Sequence, residues 1–214
     1  MAFDVFPTGS LFDPETEIWR LRANTINGGV TTAGPARKAR TDGGGLWTCE
    51  QANIELYSTE QLLAASALDV QLDGGVTRII VPCFSWPLRP VPAGVSWSVE
   101  VSLAEDAPLR ASVLSVIVTS GRPLIGGEPF SMVHATHGKR LYRVRDAEPA
   151  QMSGGVMTQA ITIRCPLREA TTAGAPLDFE TPGCVMRLVN PENWLSPLDP
   201  AHEQSASPIW VEAF

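Results

Sequence analysis

Between residues 95 and 103 the apolar side chains Val95, Trp97, Val99, Val101 and Leu103 alternate with Ser96, Ser98, Glu100 and Ser102. A period of two gives a strand one dry face and one wet face, as in an antiparallel sheet exposed on one side. Alternation also predicts a strand over residues 18–22, while strand character over 46–57 and 112–119 and the strongly apolar run 77–81, stopped by Pro82, predict three more. Beyond Pro129 the apolar runs shorten, to residues 130–133, 140–145, 157–165, 176–179 and 185–189, and a last strand is predicted over 209–214. Thr136-His137-Gly138, Ser153-Gly154-Gly155, Thr172-Ala173-Gly174 and Pro182-Gly183 supply the turns between them. Short strands at about 8–12-residue spacing indicate a small barrel or sandwich.

One helix interrupts this pattern, predicted over about 59–73. Ser58 stands as its N-cap with Gln61 three residues on, the spacing of a capping box. Leu62, Leu63, Ala65, Ala67, Leu68 and Leu72 follow at near-helical spacing, and Gly74-Gly75 ends the run. With strands on both sides, the helix is expected to lie across one face of a sheet. The fold class predicted is mainly β: an antiparallel β-sandwich with one helix, plus a small β-barrel-like domain. The expected division is an N-terminal arm over 1–17, a sandwich over 18–120 completed by 193–214, and the barrel-like domain over 121–192.

Composition changes the picture in one respect. Of 214 residues 44% are hydrophobic and 18% charged, against a usual charged share of about 25%. Such a surface suggests cover by other subunits. The net charge of -7, with basic residues scattered, lacks the basic face of a nucleic-acid binder. No apolar run reaches the roughly 18 residues of a membrane span, and the opening MAFDVFPTGS has no secretory pattern. Cys49, Cys83, Cys165 and Cys184 lie far apart without a Cys-x-x-Cys. They are expected as buried, reduced thiols in a protein made in the cytoplasm, a Cys165–Cys184 disulfide or a metal site being the alternatives.

The search for chemistry returns little. His134-x-x-His137 is half a metal site at a predicted turn, with no third ligand of suitable spacing. Asp42-Gly43-Gly44-Gly45 leads into a strand rather than a helix, so it reads as a turn and not a phosphate cradle. The carboxylate pairs Glu15/Glu17 and Glu105/Asp106 sit in proline-rich or turn contexts, and no Gly-x-Ser-x-Gly elbow exists. No catalytic residue, metal ligand or cofactor site is therefore assigned. Trp19, Trp47, Trp97 and Trp210 fall in predicted strands, as core or interface anchors. Trp86 and Trp194 fall in proline-rich loops. Loop apolar residues of this kind are candidates for subunit contact: Phe3, Phe6, Leu11 and Phe12 in the arm, Trp86, Leu88 and Arg89 in the loop of residues 82–94, and Trp194.

Three segments resemble the distal tail or baseplate proteins of long-tailed, siphovirus-like bacteriophages and prophages. The first is Thr41-Asp42-Gly43-Gly44-Gly45-Leu46-Trp47, leading through Ile54-Glu55-Leu56 to Ser58-Thr59-Glu60-Gln61. The second is Leu72-Asp73-Gly74-Gly75 with Ile79-Ile80-Val81-Pro82. The third runs from Gly121-Arg122-Pro123-Leu124 and Gly126-Gly127-Glu128-Pro129-Phe130-Ser131 through Leu141-Tyr142-Arg143-Val144 to Ile161-Thr162-Ile163, Pro166-Leu167-Arg168 and Met186-Arg187-Leu188. Together they span about residues 41–190, and Cys165 stands where a first proline of a Pro-Pro-Leu-Arg pattern is expected. The resemblance implies a sandwich with one helix and an attached small barrel. It implies a homo-oligomeric ring, commonly of six copies, joining the tail tube protein to the hub and fibre proteins at the virion's tail tip, without a cofactor and without nucleic-acid or membrane binding. A carbohydrate-binding β-module, using an exposed Trp86 or Trp194, is the alternative. A cell-wall hydrolase, using paired carboxylates or His134 and His137 on a metal, is a third.

Overall fold

The alternating stretches form antiparallel strands. The computed structural model describes residues 4–8, 11–22, 25–27, 38–40, 44–83, 99–199 and 203–214. In chain order the elements are β1 (Pro14–Arg22), β2 (Thr25–Asn27), β3 (Lys38–Arg40), β4 (Leu46–Leu56), α1 (Thr59–Leu72), β5 (Ile79–Pro82), β6 (Val101–Leu103), β7 (Val113–Val118), β8 (Pro129–His134), β9 (Gly138–Ala147), β10 (Gln151–Ser153), β11 (Val156–Arg164), β12 (Pro176–Leu177), β13 (Gly183–Leu188), β14 (Gln204–Ala206) and β15 (Ile209–Glu212). The protein is mainly β, with α1 the one α-helix among the described residues.

Two sheets carry the fold. The first has the order β1-β4-β15-β13-β5, with β14 also on β4, and curls into a half-barrel. The second has the order β12-β6-β7-β11-β9-β8, with β10 on β11. It comes round almost to a closed barrel, because Ser131 of β8 and Asp178, just past β12, exchange backbone bonds of 2.9 and 2.8 Å. Within the barrel β7 buries Leu114, Val116 and Val118, and β11 buries Gln159, Ile161 and Ile163, alternate positions in each case. Phe179, Phe130 and Tyr142 stack across the barrel, with ring centroids 5.0 and 5.5 Å apart.

The sheets do not divide at residue 120, where the expected sandwich ends. β6 and β7 belong to the barrel, β7 pairing with β11. β13, expected in the barrel-like domain, pairs with β5 and β15 in the first sheet. Periodicity says which way a strand's side chains face, and leaves its partner open.

β4 shows how local chemistry sets the packing. Trp47, Cys49 and Gln51 point inward, and then Ile54 and Leu56 do. The switch of parity falls at Asn53, whose φ of 55° is left-handed. One extra residue there bulges the strand and turns the next side chains to the other face. Asn53 suits the position, and its amide is anchored by Nδ2–H donating to Glu15, 2.6 Å away.

The helix begins as its sequence predicts. Gln61 N–H donates to Ser58 Oγ (3.1 Å) and Ser58 N–H donates to Gln61 Oε1 (3.0 Å), a complete capping box. α1 buries Ala64, Ala65, Leu68 and Leu72. At its end the backbone turns left-handed through Asp73, Gly74 and Gly75, and Gly75 lies against β13. A Cβ on Gly75 would fall 2.5 Å from the Leu188 carbonyl oxygen. Gly75→Ala is therefore expected to cost roughly 1–3 kcal/mol from the positive φ alone, with the clash added. A denaturant midpoint no lower than that of the wild-type chain would contradict this.

The N-terminal segment is part of the fold. Phe6 N–H donates to Ile80 O (2.8 Å) and Ile80 N–H to Asp4 O (3.0 Å), so the segment runs along the outer edge of β5. Phe6 and Phe12 pack on each other, and Phe6 packs on Trp210 with centroids 5.2 Å apart.

Candidate functional site

Two places concentrate charge: a buried joint between the sheets and an open groove on the first sheet. The joint centres on Glu212. Its position on β15 points it inward, where β9 and residues 165–168 abut the first sheet. Arg168 donates to Glu212 Oε2 (3.0 Å), the Trp47 N–H donates to the same oxygen (3.1 Å), and Arg140 lies 3.6 Å from Oε1. The side chains of Glu212 and Arg140 are 0% exposed and that of Arg168 10%. The Phe214 ring covers both guanidinium groups, 4.5 Å from Arg140 and 5.3 Å from Arg168. His137 meets the same ring edge-on.

Two of the motifs carrying the family resemblance meet here. Arg168, of Pro166-Leu167-Arg168, donates to the Gly45 carbonyl. Gly44 packs so closely on Pro166 that a Cβ would fall 2.9 Å from its ring. Arg168 N–H also donates to the Tyr142 hydroxyl (3.1 Å), leaving that hydroxyl's proton for Nε2 of His134, 2.7 Å away. That arrangement suits a neutral imidazole, and burial lowers the His134 pKa accordingly. Burial likewise pushes the Cys165 thiol up to about 11 and the Cys184 thiol up to about 12. All four cysteines are buried and none is in a disulfide, and Cys165 and Cys184 hold their protons at neutral pH, the unreactive form. The three guanidinium nitrogens of Arg140 find no hydrogen-bond acceptor among the described residues, while Arg168, Glu212 and Trp47 bond across the joint, so the arrangement ties the barrel to the first sheet. Among the described residues no three His, Cys, Asp or Glu side chains gather to hold a metal.

Asp178, beside the barrel's closing seam, accepts from Lys139 Nζ (2.7 Å), from Thr181 N–H (2.8 Å) and from the Thr181 hydroxyl (3.0 Å). Burial alone would raise its pKa, and these donors reverse that and lower it. A carboxylate with a depressed folded pKa contributes stability above its unfolded value, near 3.8, and loses it as pH falls through the folded one. Asp178→Asn is expected to cost roughly 1–2 kcal/mol at pH 7, with the gap to wild type narrowing below about pH 4. A gap unchanged between pH 7 and pH 3 in urea titrations would contradict the assignment.

The loop residues expected at interfaces fare differently. Phe6 and Phe12 are buried in the chain's own core, so the arm does not offer them to a neighbour, while Leu11 is half-buried. Trp194 is 1% exposed, with its indole N–H donating to Asp69 of α1 at 2.7 Å. It is neither an exposed anchor nor a sugar-stacking platform. Proline neighbours place these residues in loops, but a loop position does not make a side chain exposed, and here the aromatic rings are drawn into the core. Phe3, Trp86, Leu88 and Arg89 lie outside the described residues.

The groove has no counterpart in the sequence reading. It lies on the face of the first sheet opposite the core, has a volume of about 740 Å³, and is walled on one side by Gly74–Val76 and Arg78. Its floor is a row of residues across three strands. Arg187 of β13 pairs with Val211 of β15, and Val211 with Thr48 of β4. Ile209 and Val189 extend the floor, and Arg22 closes the far end. The groove is deep enough that Thr48 is 3% exposed. Arg22, Arg78 and Arg187 make no ion pair among the described residues. Alternation around Arg187, between buried Met186 and Leu188, was the one available signal that it faces away from the core. No helix of the described residues is long and apolar enough to cross a membrane. No protein-family model and no curated protein matches the chain.

Proposed function

We propose that the chain is a structural subunit of a bacteriophage tail tip or baseplate, built to assemble with copies of itself and with neighbours in the tail. The observation that carries this reading is the open first sheet. Its concave outer face combines half-buried Ile209 and Val211, exposed Val189 and three arginines without described ion-pair partners. Apolar and cationic groups left together on one face mark contact with another macromolecule. The antiparallel architecture, with one helix, a curled sheet and a nearly closed small barrel, is the kind that the resemblance over residues 41–190 leads one to expect. In this reading the work is geometric. One face holds the next subunit of a ring, commonly of six copies, and others meet the tail tube protein, the hub and the fibres, without a cofactor. Electron-microscope imaging of the purified full-length chain tests it. Closed rings, or the chain's presence in tail particles, support the reading; isolated monomers at every concentration, together with absence from tails, would defeat it.

A further inference from the structure

The groove on the first sheet has Val211, Ile209 and Val189 on its floor, with Arg187 at one end of that row and Arg22 and Arg78 at its edges. The helix α1 has the converse character. Ala64, Ala65, Leu68 and Leu72 face the core, and the opposite side sets two large apolar residues in water on either side of exposed Ser66. Leu63 is 66% and Val70 80% exposed. They stand seven positions apart, two helical turns, and so share one face. A surface helix ordinarily turns charged or polar residues outward, and an apolar stripe left in water marks a contact. The stretch from Ser58 to Asp73 holds Glu60, Asp69 and Asp73 and no lysine or arginine.

We propose that α1 of one copy seats in the three-arginine groove of the next. Leu63 and Val70 would rest on the floor of Val211, Ile209 and Val189, and the acidic groups of the helix would meet Arg22, Arg78 and Arg187. A second copy is the occupant that charge favours. The chain carries -7 overall, so copies repel as whole bodies, and this is a face where an acidic neighbour is attracted instead. The contact joins two different patches, so it runs head to tail and extends from copy to copy until a closing rotation makes a ring. The inference rests on the assembly reading and deepens it by naming the two faces that meet.

Three full-length proteins test it by sedimentation velocity at low salt: the wild-type chain, Arg187→Glu with a broken groove, and Val70→Arg with a broken helix face. Both substituted side chains are exposed, and Arg78→Glu with Leu63→Arg provides a second such pair. The wild-type chain is expected to form multimers, and each variant alone is expected to associate at least about tenfold more weakly. An equimolar mixture of the two variants should form a species of twice the monomer mass and nothing larger. Only one intact helix and one intact groove then remain to pair, and a misfolded variant could not complement. If the variants assemble like wild type, or if their mixture stays monomeric, the pairing of α1 with the groove is wrong while the assembly reading stands. If the wild-type chain itself remains monomeric, including a case where it binds only an acidic segment of another protein, the pairing of copies is wrong, and the assembly reading falls with it if the chain is also absent from tail particles.

Discussion

Glu212→Gln is expected to destabilise the protein by about 3–5 kcal/mol, the loss seen when one partner of a buried ion group is removed. The substitution keeps the volume and takes away the charge. Arg140, fully buried, then faces the Phe214 ring and a neutral amide, and Arg168 keeps the Gly45 carbonyl without a carboxylate beside it. The desolvation of two guanidinium groups, now offset by one carboxylate, goes uncompensated. Against a typical total stability of about 5–15 kcal/mol, such a loss brings the chain close to unfolding at moderate temperature. The joint also spans the two sheets, so the damage should appear in both together. Replacing Arg140 and Glu212 by methionine simultaneously should cost less than Glu212→Gln alone, because the fully buried guanidinium leaves together with the carboxylate and Arg168 keeps the Gly45 carbonyl. Denaturant titrations of the single and double variants provide the comparison. A Glu212→Gln midpoint close to wild type would mean that the joint is solvated, against the burial described above.

Phe130→Ala is expected to cost about 3–5 kcal/mol, the usual range for deleting a fully buried aromatic ring. Phe130 is 0% exposed between Phe179 and Tyr142. Its strand β8 carries the seam that brings the barrel round to Asp178. A cavity at that point removes contacts from both neighbouring rings and loosens the closing edge. Proteolysis should accordingly quicken near residues 176–181, and the thermal midpoint should fall. Cleavage quickening at residues 58–75 instead, with the barrel unaffected, would contradict this assignment of the ring's role.

What was legible in the sequence follows from what short-range patterns encode. The capping box at Ser58 and Gln61 and the apolar runs of β7 and β11 predicted their elements closely, because each depends on neighbours within a few residues. The pairing of β13 with β5 and β15 was not legible, since a strand's period sets its faces and not its partners. The burial of Phe6, Phe12 and Trp194 escaped for a related reason. Their loops look exposed by composition, and only contacts with Trp210 and Asp69, distant in the chain, draw them in. The groove was least visible of all. Arg22, Arg78 and Arg187 stand on three segments far apart in sequence, and the sheet brings them together. The resemblance motifs, by contrast, proved to be packing elements, with Gly44 and Gly45 seated against Pro166 and Arg168.

The central claim, that this is an assembling structural subunit meeting its own copies through an arginine-lined sheet face, is tested most directly by the native mass of the full-length chain measured across salt concentration. The account predicts a mass that is a multiple of the 23.0 kDa chain at low salt and that moves toward the monomer as salt screens the arginine contacts. A 23.0 kDa species at every salt and protein concentration would contradict it.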